Sequence, residues 1–332
     1  MRREIVAIVI MLLCAADCCA QVVFWNVENY FDTRDEAGSS DEDFTPSGSY
    51  HWNRKRYLAK RNFIAKTLIA TSDSLGSMPA VIALAEVENR RVLQDLAYYT
   101  PLSTTGYRIV HRDSPDTRGI DVAVLYDPWR LDLEGADFLT VEGFATREIL
   151  WCRLRPAGDS TAAALHLFVN HWPSKRSGAA LSDSRRVAVA ELLLSKLDSL
   201  QAAEPGARIL LVGDFNDTPD SEALAALSDS CGLVNLAGPL WEQGKGTIKY
   251  NGKWELIDQA LASQALVAEG VRFSIFDADF LQEYDKSFLG FKPRRTFVGP
   301  RYNGGVSDHF PICLYLFNYL YLSAPKKTIN IK

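Results

Sequence analysis

The sequence has too few cysteines to build a disulfide framework. It contains 6 cysteines, and three of them lie within the first twenty positions. The others are Cys152, Cys231 and Cys313, which cannot all pair within one chain, and no C-x-x-C spacing occurs. The sequence therefore argues against a structural zinc site. Cys152 and Cys313 fall in strand-like runs and are expected to be buried apolar residues.

An excess of positive charge is also absent. The formal net charge is -5, and the apolar and charged fractions, 47% and 23%, are those of an ordinary globular protein. This balance argues against a protein that coats nucleic acid non-specifically. It leaves open an enzyme that meets a polyanion at one local patch. With no internal repeat or linker, we predict one domain over residues 21–322 and a polar, basic tail over 323–332.

Long hydrophobic runs are missing except at the N-terminus. Arg2 and Arg3 precede an apolar run from Ile5 to Cys14, which is too short to span a membrane comfortably, and small residues follow. This pattern predicts an export signal over residues 1–20 with cleavage after Ala20. The protein would then be periplasmic, cell-surface or secreted. An uncleaved N-terminal anchor is the alternative.

The most informative stretch is LLVGDFND, residues 210–217. The apolar run 209–212 predicts a buried strand, and Asp214, Phe215 and Asn216 follow its last glycine. If extended geometry continues, Asp214 and Asn216 point to one side and Phe215 points to the other. A carboxylate and a carboxamide at a strand end can hold a hard cation or a water against a phosphate. The alternative is that these residues form only a turn.

Polar residues follow or interrupt other strand-like runs in the same way. They are Asn26, Glu86, Asp121, His171, Asp258, Asp308 and His309. Independent structural accidents would not keep to strand ends, whereas one site on one rim of a β core explains all of these positions together. Strands dominate and a few helices cross between them. The fold class is therefore predicted to be α/β (α+β), with a two-layered β core flanked by helices.

Basic residues occur in three places. The predicted helix 54–75 carries several on the face opposite its apolar stripe, Lys60 among them, and this face is expected to be solvated. Lys175 and Arg176 lie in a flexible loop after Trp172-Pro173. The segment 292–302, KPRRTFVGPRY, interleaves cations with aromatic residues, which suits contact with phosphates.

As a set, these motifs resemble the endonuclease/exonuclease/phosphatase family, the DNase I-like metal-dependent phosphoesterases. The matching segments occur in the family's order: WNVEN at 25–29, ALAEVEN at 83–89, RGIDVAVLY at 118–126, NHWPS at 170–174, GDFND at 213–217, ID at 257–258 and SDHFPI at 307–312. GDFN followed by a C-terminal SDH is specific, whereas any one segment alone is weak. RGIDVAVLY with NHWPSK is similar to an exported bacterial branch. The resemblance implies a four-layer sandwich of two mixed β-sheets flanked by helices.

The resemblance also implies a metal end of the site. Glu86 and Asp308 would bind a divalent cation, Mg²⁺ or Mn²⁺, with Asn26 helping. Mg²⁺ prefers oxygen ligands and keeps several waters, so one or two carboxylates suffice. Arg118 and Asp121 would shape the pocket where the phosphate binds.

The catalytic end is implied in the same way. Asp214 and Asn216 would position the attacking water and a phosphate oxygen, and His171 would contact the phosphate from the leaving-group side. His309, oriented by Asp258, would act as a base or stabilise the phosphate. A histidine paired with a buried carboxylate keeps its tautomer and has a raised pKa, which suits either role.

Three functions are compatible with these residues. The first is an exported metal-dependent phosphodiesterase acting on nucleic acid, which the basic and aromatic segments favour. The second is a hydrolase for phospholipid head groups, inositol phosphates or nucleotides; such an enzyme would show exposed aromatics at the rim, for which Trp172, Trp241 and Trp254 are candidates. The third is a binding module without turnover, ranked last because the catalytic set is complete. We expect a monomer without a stable protein partner.

Overall fold

In this computed structural model, residues 20–36, 38–175 and 179–316 are described. The predicted export signal, apart from Ala20, the predicted tail and Arg176 lie outside the described residues. Two six-stranded mixed sheets stack face to face, and helices cover both outer faces. The predicted four-layer α/β (α+β) sandwich is confirmed. No helix in the described ranges is both long and apolar enough to cross a bilayer.

Eighteen strands occur in the described part of the chain. In chain order they are β1 (Ala20–Tyr30), β2 (Val81–Val87), β3 (Arg108–His111), β4 (Asp121–Tyr126), β5 (Leu131–Leu139), β6 (Ile149–Pro156), β7 (Leu165–His171), β8 (Arg208–Asp214), β9 (Val234–Asn235), β10 (Ile248–Tyr250), β11 (Lys253–Glu255), β12 (Asp258–Ala262), β13 (Arg272–Ile275), β14 (Gln282–Tyr284), β15 (Phe291–Pro293), β16 (Phe297–Val298), β17 (Arg301–Tyr302) and β18 (Ile312–Leu316).

Helices are fewer. The α-helices are α1 (Arg54–Leu75), α2 (Arg90–Tyr98), α3 (Ala179–Ala203), α4 (Glu222–Cys231), α5 (Gly238–Glu242) and α6 (Gln264–Ala268). Short 3-10 turns occupy Glu42–Phe44, Pro101–Thr104 and Asp279–Leu281.

Each large sheet is built around one parallel pair of strands. The first sheet has the order β13-β18-β1-β2-β4-β3, and β1 runs parallel to β2. The second has the order β5-β6-β7-β8-β12-β9, and β7 runs parallel to β8. All other neighbours in both sheets are antiparallel. The carboxyl ends of each parallel pair therefore meet at one edge of their sheet, where ligand sites tend to form.

Alternation along the strands separates an inner core from two outer ones. Phe24, Val169 and Val212 face the other sheet and belong to the inner core. Their neighbours along the chain, such as Trp25 and Phe168, face outwards and pack under the helices. This period of two is what a sheet buried on both faces requires.

Helix α1 follows the predicted bounds, 54–75. The Asn53 side chain accepts a hydrogen bond from the Arg56 N–H and caps the start, and Gly76 ends the helix in a left-handed conformation with φ of 78°. Ile64 and Leu68 are fully buried on the first sheet, as the apolar pattern predicts.

The predicted solvated face of α1 is wrong at Lys60, which is 1% exposed. Its ammonium donates to the Thr296 hydroxyl at 2.6 Å, to the Val306 carbonyl at 3.0 Å and to the Glu28 carbonyl. Burial lowers the pKa of Lys60 to about 8, although the Glu28 carboxylate opposes this shift. The contact ties α1 to segments more than 200 residues away, so helical periodicity could not reveal it.

Lys60→Met keeps the aliphatic stem and removes the ammonium, which leaves buried oxygen acceptors without a donor. We expect the free energy of unfolding to fall by about 1–3 kcal/mol, the cost of a buried unsatisfied polar group. Urea denaturation at neutral pH measures the change. The matched control is Lys55→Met on the exposed side of the same helix; equal midpoints for the two variants would contradict the assigned role of Lys60.

Candidate active site

Polar side chains occupy the end of the inner core. Phe24, Val169 and Val212 face inwards, and the next inward position on each strand, two residues further along, is polar. These positions are Asn26, His171 and Asp214; Asp258, the first residue of β12, lies beside Asp214 in the sheet. All four are at most 4% exposed. The facing sheets therefore end in one shared polar layer.

Glu86 reaches this layer by a change in backbone conformation. Leu84 faces the outer core, so plain alternation would turn Glu86 away from the other sheet. The register of β2 against β4 shifts between Ala85 and Val87, and Glu86 has a φ of 60°. The Asn29 N–H donates to Glu86 Oε2 at 2.8 Å and holds the carboxylate.

Strained backbone is concentrated at this edge. Glu28, Asn29, Glu86 and Asn216 all have φ between 49° and 60° and all line the same cleft. Non-glycine residues rarely adopt this left-handed region, and such residues cluster at functional sites. Asn216 therefore does not continue the strand, as simple extended geometry assumes, although Phe215 does point away and packs on Trp172 at 5.0 Å between ring centroids.

Asp258 orients His309. The Asp258 Oδ2 atom lies 2.8 Å from His309 Nδ1 and also accepts a hydrogen bond from the Thr247 hydroxyl. His309 Nε2 then faces the cleft, 3.9 Å from Asp214 Oδ2 and 3.8 Å from Asp308 Oδ1. Burial alone would lower the pKa of His309, but Asp258, aided by Asp214 and Asp308, raises it well above the usual value. The imidazole is thus held as a cation.

Asp214 is held by its neighbours from three sides. Asn26 Nδ2 donates to Oδ2 at 3.0 Å, the Asn216 N–H donates to Oδ1 at 2.9 Å, and His171 Nε2 lies 3.7 Å from Oδ2. Burial raises the pKa of Asp214 to about 7, although the His309 cation opposes the shift. A carboxylate with such a pKa can accept a proton near neutral pH.

His171 differs from His309 in its charge. It is fully enclosed and has no buried carboxylate at hydrogen-bond distance; Glu86 Oε1 lies 3.8 Å from its Nε2 atom. Burial, together with the nearby Arg147 guanidinium, lowers the pKa of His171 well below its usual value. The pKa values of the two histidines of the site are thus shifted in opposite directions.

Two carboxylates form the other end of the cleft. Arg118 Nη2 lies 3.4 Å from Glu86 Oε1, and Arg295 Nη2 lies 2.9 Å from Asp308 Oδ2. Burial would raise the pKa of Glu86, but the Arg118 guanidinium, the largest opposing influence, helps to lower it to about 2, so it stays ionised. Both carboxylates reach the cleft surface. A donor pair made only of carboxylate oxygens at an open cleft fits a hard cation such as Mg²⁺ or Mn²⁺.

The cleft has a volume of about 420 Å³. Most predicted site residues line it: Glu86, Arg118, His171, Lys175, Asp214, Asn216, Asp308 and His309. Asn26 and Asp258 lie directly behind it, in contact with Asp214 and His309. The Asn26 side-chain oxygen accepts the Glu28 N–H at 2.9 Å, so its assignment as a metal ligand remains a prediction.

Asp121 is the predicted residue that the structure does not bring to the cleft. Its Oδ2 atom lies 3.2 Å from His111 Nε2, and its Oδ1 atom accepts the Ser114 N–H at 2.8 Å. The start of β4 lies at the expected edge of the sheet, since Asp121 pairs with Val87. The Asp121 side chain, however, binds His111 and Ser114 and so holds the 111–121 loop rather than lining the cleft.

The structure adds cleft residues that the sequence interpretation did not assign. Arg295 Nη2 lies 2.9 Å from Glu28 Oε1 as well as from Asp308, so one guanidinium bridges both carboxylates. Lys249 and Lys292 line the outer wall. Glu28 stands in the quoted WNVEN motif, and Arg295 and Lys292 stand in the basic 292–302 segment. Lys249 had no sequence signal.

The fold is the DNase I-like architecture. Truncated TDP2 from Caenorhabditis elegans matches with a TM-score of 0.56 at 18% identity, over 90% of this chain and 98% of that one. D. rerio TDP2 complexed with single strand DNA product matches with 0.56 at 15%, over 90% and 99%. The human nocturnin catalytic domain with bound sulfate anion matches with 0.57 at 16%, over 90% and 94%. At such identities the likeness shows the fold alone.

The family model of the Endonuclease/Exonuclease/phosphatase family matches residues 21–318. The chain belongs to this family, whose members are phosphoesterases and nucleases, and the resemblance noted in the sequence is confirmed. No sequence among curated proteins matches the chain.

Glu86→Gln and Asp308→Asn should each weaken binding of Mn²⁺ at the cleft, because each removes one anionic oxygen ligand. We expect an affinity loss of at least about tenfold, since even the loss of groups that support a ligand costs 10–100-fold. Isothermal titration calorimetry at pH 7 measures it. Glu242→Gln, an exposed carboxylate away from the cleft, is the control. An unchanged affinity in both cleft variants would exclude these residues as ligands.

Proposed function

We propose that the protein is a divalent-metal-dependent phosphodiesterase that hydrolyses nucleic acid by direct attack of water. One observation carries the proposal: His309 Nε2, fixed by Asp258 on its other nitrogen, faces a point between Asp214 and Asp308. The proposed base, Asp214, and the proposed metal ligand, Asp308, thus each place a carboxylate oxygen within 4 Å of the His309 cation. None of the described side chains at this point needs to become covalently bound, so the proposed attacking group is water.

The raised and lowered pKa values divide the roles. Asp214, with a pKa of about 7, orients the attacking water together with Asn216 and accepts its proton. His309, held as a cation, stabilises the negative charge that grows on the phosphate oxygens. The sequence leaves open whether His309 acts as a base or stabilises the phosphate. The raised pKa of His309 favours the stabilising role. Neutral His171 can donate a hydrogen bond to the phosphate from the leaving-group side.

Glu86 and Asp308 would hold the divalent cation. When bound, this cation neutralises charge on the phosphate and on the leaving oxygen. Arg118 and Arg295 lie beside the two carboxylates and help to hold them at the cleft. Arg295 also compensates buried Glu28, which would otherwise add a further negative charge close to an anionic substrate.

The rim of the cleft favours a nucleic acid. The β10–β11 and β14–β15 hairpins project there, and their exposed aromatics include Tyr250 (64% exposed) and Phe291 (58% exposed). Lys249 and Lys292 lie beside them on the cleft wall. Aromatic faces next to cations suit unstacked bases and phosphates of a single strand. The structure of D. rerio TDP2 complexed with single strand DNA product supports this choice of substrate class.

The two hairpins of the rim pack against each other. Phe288, between β14 and β15, packs over Gly252 of the β10–β11 turn so closely that a Cβ at Gly252 would lie 2.8 Å from its ring. Lys249 Nζ donates to the Leu289 carbonyl at 2.7 Å. The two hairpins therefore act as one surface, which limits the entropy lost when a substrate binds.

A lipid-acting hydrolase is the second candidate, because exposed aromatics also suit a lipid surface. The three tryptophans proposed for that role do not provide it. Trp172 is 1% exposed, Trp254 stacks on Phe310 at 5.7 Å, and Trp241 is half-buried. The exposed aromatic residues at the rim are instead those of the two hairpins, such as Tyr250 and Phe291. Direct comparison of substrates decides between the candidates.

We also propose that the protein is exported, on the basis of its N-terminal pattern alone. A mature N-terminus at Gln21, found by N-terminal sequencing of protein recovered outside the cytoplasm, would support export. A retained Met1 would oppose it.

With Mg²⁺ or Mn²⁺, residues 21–332 should nick supercoiled plasmid DNA and hydrolyse bis-p-nitrophenyl phosphate. His309→Ala should reduce both rates by at least about 100-fold, the lower range for a positioned acid–base group. EDTA should stop both reactions. Gel electrophoresis and release of p-nitrophenol measure them. Turnover of only the small diester would move the substrate towards lipids or small phosphoesters, and activity in EDTA would contradict the metal mechanism.

Tyr250→Ala and Phe291→Ala should raise KM for a single-stranded oligonucleotide and leave bis-p-nitrophenyl phosphate hydrolysis unchanged. Stacking of one base is worth about 1–3 kcal/mol, so we expect about a 5- to 100-fold rise in KM. Trp129→Ala is the control, since Trp129 is 84% exposed and does not line the cleft. If the rim variants instead lose only activity on phospholipid vesicles, the lipid candidate replaces the nuclease.

A further inference from the structure

A second acidic cluster lies next to the cleft but is not part of it. Asp32, Glu36 and Asp41 stand on the loop after β1, and Glu88 follows β2. Oxygen atoms of Asp32, Glu36 and Glu88 all lie within 4.8 Å of one another. Asp32, Asp41 and Glu88 are at most 5% exposed. Three acidic side chains therefore share a small volume, and Asp41, which accepts the Glu36 N–H, lies beside them.

Too few cations neutralise this charge. Arg91 Nη1 lies 2.5 Å from Asp32 Oδ2, but the arginine side chain is 44% exposed. Within the described part of the chain, Glu36, Asp41 and Glu88 have no basic side chain within ion-pair distance. Ionised groups removed from water cost several kcal/mol each unless a counter-charge is present.

Two buried oxygens in the cluster also lack a hydrogen-bond donor. Asp41 Oδ2 accepts the Glu36 N–H at 3.1 Å and Glu88 Oε2 accepts the Asp32 N–H. The other oxygen of each carboxylate, Asp41 Oδ1 and Glu88 Oε1, is buried without a partner among the described residues. Buried polar atoms are nearly always paired, so an orphaned oxygen indicates a missing partner.

We propose that Asp32, Glu36 and Glu88 bind one structural Ca²⁺, with the Asp41 carboxylate facing the same ion. Ca²⁺ takes several oxygen ligands at about 2.3–2.6 Å, so two of its ligands can be as far as about 5 Å apart, which matches the cluster. Mg²⁺ demands strict octahedral geometry and retains waters, which a dry cluster of carboxylates accommodates poorly. This site is separate from the metal end of the cleft and does not depend on the proposed function.

The ion would fasten the loop that supports Arg118. The Ser40 N–H donates to the Thr117 carbonyl at 2.9 Å, and Ser39 packs so closely on Gly119 that a Cβ there would lie 2.7 Å from the Ser39 Cβ. Arg118, between these two positions, bonds Asn29 and Glu86 of the cleft. A bound Ca²⁺ therefore stabilises the fold and positions one wall of the cleft.

A proton on Glu88 is the competing account of the same cluster. Burial and the facing carboxylates of Asp32, Glu36 and Asp41 raise the pKa of Glu88 to about 9, so without a cation this carboxyl is neutral at pH 7. The two accounts differ in their response to CaCl₂. Only a cation site makes stability depend on the calcium concentration.

The test is thermal unfolding of residues 21–332 in CaCl₂, with MgCl₂ as the comparison salt. At about 100 times Kd, one bound Ca²⁺ should raise Tm by about 5 °C or more. The same shift should remain in Glu86→Gln, which removes a ligand of the cleft. It should disappear in Glu88→Gln, whose Tm without Ca²⁺ should stay close to that of the wild type because a neutral carboxamide replaces a carboxyl that is already neutral there.

Glu42→Gln, an exposed acidic residue of the same loop, is the matched control and should respond to CaCl₂ like the wild type. Asp41→Asn should weaken calcium binding by at least about tenfold, as measured by calorimetry in the Glu86→Gln background. A wild-type Tm unaffected by CaCl₂ would overturn the proposal in favour of the proton. A calcium response lost in Glu86→Gln but kept in Glu88→Gln would assign the ion to the cleft and overturn it as well.

Discussion

The packing of two sheets on their inner faces is the constraint on which the site depends. Each strand must present apolar residues to the other sheet at every second position, and the inner core ends where this pattern ends. The residues at that boundary, such as Asn26 and Asp214, are buried by the same packing that buries Phe24 and Val212. Polar groups in such a place must find partners among themselves. The site is therefore a hydrogen-bonded end layer of the core, open on one side.

Burial makes the electrostatics of this layer strong and selective. Glu86 and Asp214 are chemically similar, but the pKa of Glu86 beside the Arg118 guanidinium is lowered to about 2, while burial raises the pKa of Asp214 to about 7. Asp258 raises the pKa of His309 well above its usual value, whereas burial lowers the pKa of His171 well below it. Groups of the same type therefore take different roles because their neighbours differ, which is the usual basis of acid–base catalysis at neutral pH.

Much of the fold followed from local pattern. The helix is predicted with its observed bounds, 54–75, and the predicted strand 209–212 falls inside β8, because apolar periodicity is a local property. The β5 strand and the small hairpins were missed, since short or mixed-exposure strands carry little pattern. Lys60 and Arg295 show the other limit. Each acquires its role from residues distant in sequence, as when Lys60 binds Thr296 and when Arg295 bridges to Glu28.

Motif spacing and strand-end polarity are local features of the chain, and they identify the family and eight of the residues that line the cleft. Only the tertiary structure shows the directions in which the pKa values of the two histidines are shifted. It alone also shows that Glu86 turns inwards and that the two hairpins of the rim pack together. It alone also revealed the unneutralised acidic cluster of Asp32, Glu36, Asp41 and Glu88. These properties depend on distances and burial between segments far apart in sequence, which no local pattern specifies.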